Sequence, residues 1–112
     1  MRFTKLKNEI LGEDYSLSLA FVDRKTSRRL NKIYRKKDEA TNILSFPLSK
    51  KTGEILICPA VVKAEIKKFG RSYRQLLALL VIHGMLHLKG MRHGAKMDRL
   101  EEEYDQKYFS RH

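Results

Sequence analysis

The chain has 112 residues, 42% of them hydrophobic, which predicts a single domain, residues 1–112, whose core needs no cross-link. Cys58 is the single cysteine, which excludes an intrachain disulfide and fits a reducing, cytoplasmic compartment. A net charge of +11 predicts a polyanionic partner, nucleic acid first, although a basic proteome or an adaptation for solubility would give the same charge. We expect no membrane span and no signal peptide, because the longest apolar stretch, Leu76 to Ile82, is too short.

The first third of the chain predicts a helix, a strand and a second helix. Apolar side chains of residues 3–11 fall on one helical stripe, and residues 16–22 are typical of a strand. Asp23 is a candidate N-cap for a helix over 25–35. The side chains expected to face inward from this helix are Leu30, Ile33 and Tyr34, with the basic residues outward.

A hairpin is predicted next. Residues 36–42 are polar and typical of a loop, and a strand over 43–46 ends at Pro47. A turn over 48–53 leads to a second strand over 54–58. The early strand, helix and strand favour a right-handed crossover in a mixed sheet.

Three helices complete the chain. Pro59 suits the first position of a helix that ends at Gly70. Ser72 with Gln75 forms a capping-box pattern that opens a helix over 73–89, which is apolar on all sides for most of its length. The last helix, over 96–109, has one apolar stripe. The fold class is therefore α+β, with a small mixed sheet of three or four strands and the 73–89 helix at its centre.

Three of the four histidines lie within eleven residues. His83 and His87 are four residues apart in a predicted helix, so their imidazoles lie on one face, one turn apart. Gly90 can take a positive φ and let the chain turn back, which presents His93 from a third side. Three nitrogen ligands leave one position open, as in catalytic zinc sites. The pattern predicts one Zn²⁺ per chain, whereas a lone histidine in such a helix would more often be a core residue.

The histidine spacing also matches that of the metzincin proteases, in which a glutamate follows the first histidine and acts as general base. Here that position is Gly84. The missing carboxylate and the positive charge argue against a metalloprotease or a small-molecule hydrolase. Zinc lowers the pKa of bound water to about 7, so hydrolysis does not require the absent base.

Two blocks of sequence resemble the YbeY family of bacterial endoribonucleases and ribosomal RNA maturation factors. The first is HGMLHLKG, residues 83–90, followed by His93, and the second is Leu30-Asn31 followed by YRKKDEATNILSFP, residues 34–47. The resemblance extends over about residues 17–105. It implies a zinc-dependent, single-strand-specific endoribonuclease that acts in small-subunit ribosomal RNA processing and ribosome quality control, with RNA and small-subunit ribosomal proteins as partners.

The resemblance further implies that the three histidines hold the zinc and that Arg35 is a functional residue of a basic cleft. The planar guanidinium of an arginine can bind a phosphate through two nitrogens and stabilise charge that builds on the phosphoryl oxygens. Without the resemblance, a solvated arginine at a helix end would be the preferred interpretation of Arg35. Thr41 and Ser45 could bind phosphate or shape the strand edge, and Tyr34 and Phe46 are expected in the core rather than as platforms on which bases stack.

The chain departs from the family pattern beside the third histidine, where Met91-Arg92 replaces the usual Tyr-Asp. An arginine cannot accept hydrogen bonds, so we expect Arg92 to contact phosphate instead. Glu54 stands where the family has an aspartate, a mild change. The segment before the first strong strand is short, so one of the family's opening elements is expected to be missing.

Lysines and arginines in loops and on the 59–70 helix are further candidates for phosphate contacts, although solvated lysines on a plain surface would give the same pattern. The predicted RNA-binding residues are Arg35, Lys36, Lys37, Lys63, Lys67 and Arg92. The last helix is acidic and is predicted to be a cover, and Asp38 is expected to pair with nearby lysines. A ribosome-assembly factor that binds RNA through a fold with a structural metal remains the alternative function.

Overall fold

The computed structural model describes residues 3–109 and contains six helices and three strands in that range. In chain order these elements are α1 Thr4–Leu11, β1 Ser16–Phe21, α2 Arg24–Arg35, β2 Ile43–Ser49, β3 Thr52–Ile57, α3 Pro59–Ala64, α4 Ile66–Phe69, α5 Tyr73–Leu88 and α6 Ala95–Phe109. The α+β class is confirmed. Before β1, the described residues form a helix and no strand, as the short N-terminal segment predicts.

The sheet has three strands in the order β1-β3-β2. β1 runs parallel to β3, from Ser16 opposite Thr52 to Phe21 opposite Ile57, and β2 runs antiparallel to β3. The mixed sheet is therefore confirmed, while the hand of the crossover stays a prediction. β2 lies at the edge of this sheet, which becomes important because the site lies beside it.

Helix α5 packs on the sheet and forms the centre of the fold. Its start is fixed by the predicted capping box, in which Ser72 Oγ accepts from Gln75 N (3.2 Å) and Ser72 N donates to Gln75 Oε1 (2.9 Å). Its fully or nearly buried residues are Leu76, Ala78, Leu80, Val81, Ile82, Gly84, Met85 and Leu86. They pack with Ile55, Ile57 and Val62 in one apolar core. The burial of these apolar side chains drives the folding of the domain.

The hairpin is longer than predicted. Strand β2 continues through Pro47 to Ser49, and β3 begins at Thr52, so the turn shrinks from residues 48–53 to Lys50 and Lys51. Pro47 is tolerated because β2 is an edge strand and the register shifts between Pro47 and Ser49. The prediction that the strand ends at Pro47 was wrong because a proline ends only a strand that is paired on both sides.

The inward face predicted for α2 was wrong for two of its three residues, because Leu30 is half-buried but Ile33 and Tyr34 are exposed. Ile33 is 59% exposed and Tyr34 is 63% exposed, while Ser27 and Asn31 are buried. Ser27 Oγ donates to the Thr41 carbonyl (2.8 Å), and Asn31 Nδ2 donates to the Glu39 carbonyl (2.8 Å). The loop over 36–42 folds back on the helix, and its backbone polar groups need these partners. Polar side chains therefore occupy the face that apolar ones were expected to fill.

The helix predicted from Pro59 to Gly70 is divided into α3 and α4 at Glu65. Pro59 does occupy the first turn, and Gly70 ends the second piece with a φ of 62°. At the break, Asn42 Nδ2 donates to Glu65 Oε1 (2.9 Å), so this residue is tied to the loop before β2.

Helices α1 and α6 both pack against α5, and side chains near the C-terminal end of α6 contact Phe3 and α1. The Phe3 and Phe109 rings are 5.8 Å apart, and Glu9 accepts from Lys107 Nζ (2.6 Å) and the Tyr108 hydroxyl (2.7 Å). Arg71 donates to Asp105 (3.1 Å), which joins the start of α5 to α6. Among residues 3–109, no helix has the length and apolar character needed to cross a membrane.

Candidate metal centre and its cleft

Helix α5 turns two histidines toward one cleft. His83 and His87 interrupt its buried surface, and both are only half-buried. Their Nε2 atoms lie 3.0 Å apart, and their ring centroids are separated by 4.5 Å. Two nitrogens bound to one tetrahedral zinc, at about 2.0–2.1 Å each, would stand roughly 3.3 Å apart. The predicted spacing of one helical turn therefore brings two donors within reach of one ion.

The chain turns sharply after α5 and presents the third histidine. Gly90 has a φ of 100°, and the Met91 N–H donates to the Leu86 carbonyl (3.0 Å), which closes the helix end. His93 follows, with its ring centroid 4.9 Å from those of His83 and His87. One nitrogen from each of the three residues lies within 4.8 Å of the others. His83, His87 and His93, the histidine cluster, form a group that could bind a metal ion.

A carboxylate from α6 orients the first histidine. Glu101 Oε1 accepts a hydrogen bond from His83 Nδ1, and both side chains are largely buried. A histidine that donates through Nδ1 presents the lone pair of Nε2, the atom that faces His87. Histidine ligands in metal sites commonly have such a carboxylate partner. The donor set and its support therefore fit a divalent metal such as zinc.

The surroundings of His87 favour its neutral form. The pKa of His87 is lowered, first by burial and then by the nearby His83 and His93. A lowered pKa keeps the imidazole neutral at physiological pH. A neutral imidazole is the form that can donate an electron pair to a metal.

The histidine cluster lies in an open cleft of about 830 Å³. One wall is strand β2, the edge strand, and another is the half-buried side of α5. The lining residues are Tyr34, Arg35, Thr41, Asn42, Ile43, Leu44, Ser45, Phe46, Phe69, Leu76, Leu79, Leu80, His83, His87, His93 and Glu101. The cleft thus joins the second sequence block to the histidines.

The end of α2 places Arg35 at this cleft. Arg35 is the last helical residue, and Lys36 follows in the left-handed conformation with a φ of 58°. The Lys36 and Lys37 N–H groups donate to the carbonyls of Lys32 (3.1 Å) and Asn31 (3.3 Å). These bonds satisfy helix-end carbonyls and fix the direction of the chain. The arginine is therefore held at a defined position on the cleft wall.

A sequence model of the family described as "Endoribonuclease YbeY" matches residues 2–110. The chain belongs to the YbeY family. An endoribonuclease YbeY from Staphylococcus epidermidis is 34% identical over 109 residues, 85% of this chain and 70% of the relative. One from Staphylococcus aureus is 32% identical over 115 residues, 90% of this chain and 74% of the relative. A Thermotoga maritima protein solved in solution superposes with a TM-score of 0.66 and 29% identity, over 93% of this chain and 77% of that one.

The structure brings Arg35 to the cleft of the histidine cluster but leaves the other predicted RNA-binding residues outside its lining. Lys36 and Lys37 are exposed at the end of α2, and Arg92 is exposed beside His93. On α3, Lys63 Nζ lies 5.6 Å from the centroid of the Tyr73 ring, and Lys67 is exposed on α4. These residues flank the cleft at most, and their contact with RNA stays a prediction.

The structure bears on the expectations for Thr41, Ser45, Asp38 and Tyr34, while phosphate binding by Thr41 and Ser45 stays a prediction. Ser45 Oγ lies 3.4 Å from the Gly84 carbonyl, and the Thr41 backbone bonds Ser27, so both residues have structural contacts as well as a place on the cleft wall. Asp38 pairs with Arg28 (2.7 Å), so the expected pairing with lysines was wrong. Tyr34 is not a core residue, because the end of α2 stands away from the sheet.

The close packing of α5 on the sheet explains why position 84 is a glycine, which the sequence did not reveal. A Cβ atom there would lie 2.9 Å from Ser45 Oγ, 3.0 Å from Ile55 Cδ1 and 3.1 Å from Ile43 Cδ1. Position 84 therefore faces the sheet, where a glutamate side chain has no space. A base at this position, as in the metzincins, is incompatible with the way α5 packs.

Two polar residues of the cleft, Glu101 and Asn42, were not predicted as site residues from the sequence. Glu101 was assigned only to an acidic cover, and Asn42 was assigned only to a loop. Glu101 is eighteen residues from His83, so no helical spacing connects them. The acidic composition of α6 was the single signal, and it did not distinguish Glu101 from its neighbours Glu102 and Glu103.

Proposed function

We propose that this protein is a zinc-dependent, single-strand-specific endoribonuclease that acts as one domain in the cytoplasm, in small-subunit ribosomal RNA processing and ribosome quality control. One observation carries the proposal: the histidine cluster and Arg35 line the same open cleft. Membership in a family whose relatives are named endoribonucleases supports the reaction class. The net charge of +11 supports an RNA substrate.

In this proposal His83, His87 and His93 hold the zinc. Zinc supplies a Lewis acid for phosphoryl oxygens and lowers the pKa of water toward 7. Burial keeps His87 in its neutral form, as its lowered pKa indicates. Glu101 holds the His83 ring so that Nε2 faces the other two ligands.

Arg35 binds the phosphate of the RNA strand. Its guanidinium can donate two parallel hydrogen bonds to two phosphate oxygens. The same donors stabilise the additional negative charge that develops on those oxygens as the phosphodiester is cleaved. Lys36, Lys37, Lys63, Lys67 and Arg92 are proposed to hold the strand by contacts that do not depend on its sequence.

The proposal is tested by metal analysis of the purified protein, together with cleavage of single-stranded RNA with and without a chelator. The expected result is one zinc per chain and cleavage that the chelator abolishes. The His87→Ala variant should lose both the metal and at least about 1,000-fold in cleavage rate. The control is Gln106→Ala, an exposed and uncharged position on α6.

The second candidate is a ribosome-assembly factor that binds RNA and uses the metal to hold its fold. It is favoured by the fact that His83 and His93 come from α5 and the following loop, which a metal would cross-link, and that Glu101 joins α6 to His83 by a hydrogen bond. A large loss of thermal stability in His87→Ala, together with no RNA cleavage by the wild-type protein, would support this alternative. A folded His87→Ala variant that no longer cleaves would support the nuclease.

A further inference from the structure

An exposed aromatic pair lies where α2 meets β2. The Tyr34 and Phe46 rings have centroids 5.0 Å apart and an interplanar angle of 65°, which is an edge-to-face contact. Phe46 is half-buried, whereas Tyr34 remains 63% exposed. Both residues line the cleft of the histidine cluster. We call Tyr34, Arg35 and Phe46 the cleft rim.

The exposure of Tyr34 is not a general property of α2. Its neighbour Ile33 is equally exposed but does not line the cleft, and neither does the exposed Phe21 on β1. Tyr34 alone among these three combines an open aromatic ring with a place beside Arg35. The edge-to-face contact with Phe46 restricts the Tyr34 ring, so the tyrosine loses less conformational entropy when a ligand binds.

We propose that Tyr34, supported by Phe46, is a stacking site for one unpaired nucleobase of the RNA strand. This proposal rests on the proposed function and adds to it a determinant of single-strand selectivity. The phosphate next to that base lies on Arg35, the residue after Tyr34 in the chain. Because consecutive helical residues point about 100° apart, Tyr34 and Arg35 can contact the base and the phosphate of one nucleotide at the same time.

The charge around the rim favours a nucleic acid over an apolar peptide or a second copy of the chain. Four exposed basic residues lie within three positions of Tyr34 in the sequence at the end of α2: Lys32, Arg35, Lys36 and Lys37. A second copy would bring the same positive charges together, which is unfavourable. A base in a duplex is already stacked on both faces and cannot reach the ring, so the site selects unpaired RNA.

The first test measures binding of a fluorescein-labelled single-stranded RNA, about 12 nucleotides long, to the purified protein by fluorescence anisotropy. The measurement is made on ice, before cleavage is detectable on a gel. Tyr34→Ala should weaken binding about 5- to 150-fold, the range that corresponds to loss of one base stack. Tyr34→Phe should restore it, because the ring carries the interaction and the hydroxyl does not.

Two variants serve as matched controls. Phe21→Ala and Ile33→Ala remove equally exposed apolar side chains outside the cleft, and both should bind RNA as the wild type does. Binding of an RNA duplex of the same length should be equal for Tyr34→Ala and the wild type. Thermal unfolding of Tyr34→Ala and of Tyr34→Leu establishes that each variant is folded.

The second test localises the base. The same RNA is prepared as a series, each member lacking the base at one position. Wild type should lose affinity at one position of the series, and Tyr34→Ala should lose nothing further at that position. Equal losses in wild type and Tyr34→Ala at every position would overturn the stacking site.

The outcomes also separate this proposal from the proposed function. A wild-type protein that binds and cleaves RNA, together with a Tyr34→Ala variant of unchanged affinity, overturns the stacking site and leaves the nuclease intact. A wild-type protein that never cleaves RNA overturns the nuclease, while the binding measurements still decide whether Tyr34 stacks on a base. Concentration-dependent dimerisation lost in Tyr34→Ala, with RNA affinity unchanged, would also overturn the stacking site.

Discussion

The histidine cluster and the cleft rim border one cleft, yet different forces hold them in place. His83 and His87 are positioned by the buried helix α5, whose neighbouring side chains pack in the core. Tyr34 and Arg35 stand at the exposed end of α2, which two buried polar residues, Ser27 and Asn31, tie to the following loop. The α5 residues of the histidine cluster are therefore positioned by apolar packing of their helix, whereas the α2 residues of the cleft rim are positioned by hydrogen bonds.

Because of this difference, we expect different residues of the cleft to determine the stability of the protein and its activity on RNA. Changes at the rim should alter RNA cleavage or binding without unfolding the protein, because the rim contributes little buried surface. Changes to the residues that orient the histidine cluster or pack α5 against the sheet should alter metal affinity or stability. The predictions below compare variants from the two regions.

Among the four variants compared below, the largest effect is expected at the rim. Arg35→Ala should reduce the rate of RNA cleavage about 100- to 1,000-fold, because it removes donors that stabilise charge on the phosphoryl oxygens. Zinc content and the midpoint of thermal unfolding should stay unchanged. Arg29→Ala, at an exposed position of α2 outside the cleft, is the control. A large loss of zinc in Arg35→Ala would contradict the separation of the two regions.

The next effect concerns the support of the histidine cluster. Glu101→Ala should weaken zinc binding about 10- to 100-fold, because His83 loses the carboxylate that orients it. The measurement is a competition with a chelator of known affinity, which does not depend on activity. Glu102→Ala, exposed on the same helix, should bind zinc normally. Equal affinities for the two variants would mean that the hydrogen bond has no role at the metal.

A smaller effect is expected where α5 touches the sheet. Gly84→Ala should lower the free energy of unfolding by about 1 kcal/mol, since the crowding cost exceeds the gain in helix propensity. Ser45 Oγ is the nearest contact at 2.9 Å, so the double variant Gly84→Ala, Ser45→Ala should recover part of the loss. Chemical denaturation measures both. A fully additive loss would show that Ser45 is not the limiting contact.

The smallest effect is expected at Arg92. Arg92→Ala should weaken RNA binding only about 2- to 3-fold near physiological salt, because the residue is exposed and outside the cleft lining. The slope of log affinity against log salt should fall by about 0.7 if one phosphate contact is lost. Arg99→Ala, exposed on α6, is the control. An unchanged slope would remove Arg92 from the RNA-binding residues.

The sequence predicted best what depends on local geometry. The i, i+4 spacing of His83 and His87, the positive φ of Gly90 and the capping box at Ser72 each follow from a few consecutive residues. The order of helices and strands and the small mixed sheet also follow from periodicity and turn residues. The convergence of the three histidines could therefore be predicted from the sequence alone.

What the sequence missed depends on contacts between distant residues. Glu101 meets His83 only because α6 returns across α5, and no periodicity reports that return. The inward face of α2 was mispredicted because apolar residues were assumed to be buried, although the adjacent loop needed polar partners. Tyr34 was assigned to the core for the same reason.

The position of Pro47 in the edge strand has a consequence for self-association. An edge strand carries a row of unpaired backbone groups that can pair with a strand of another molecule. Prolines in edge strands place their nitrogen toward solvent and supply no donor there. The wall of the cleft formed by residues 43–46 is thus followed at once by a residue that interrupts any added strand. Pro47 should therefore disfavour aggregation by strand pairing at β2, the sheet edge that borders the cleft.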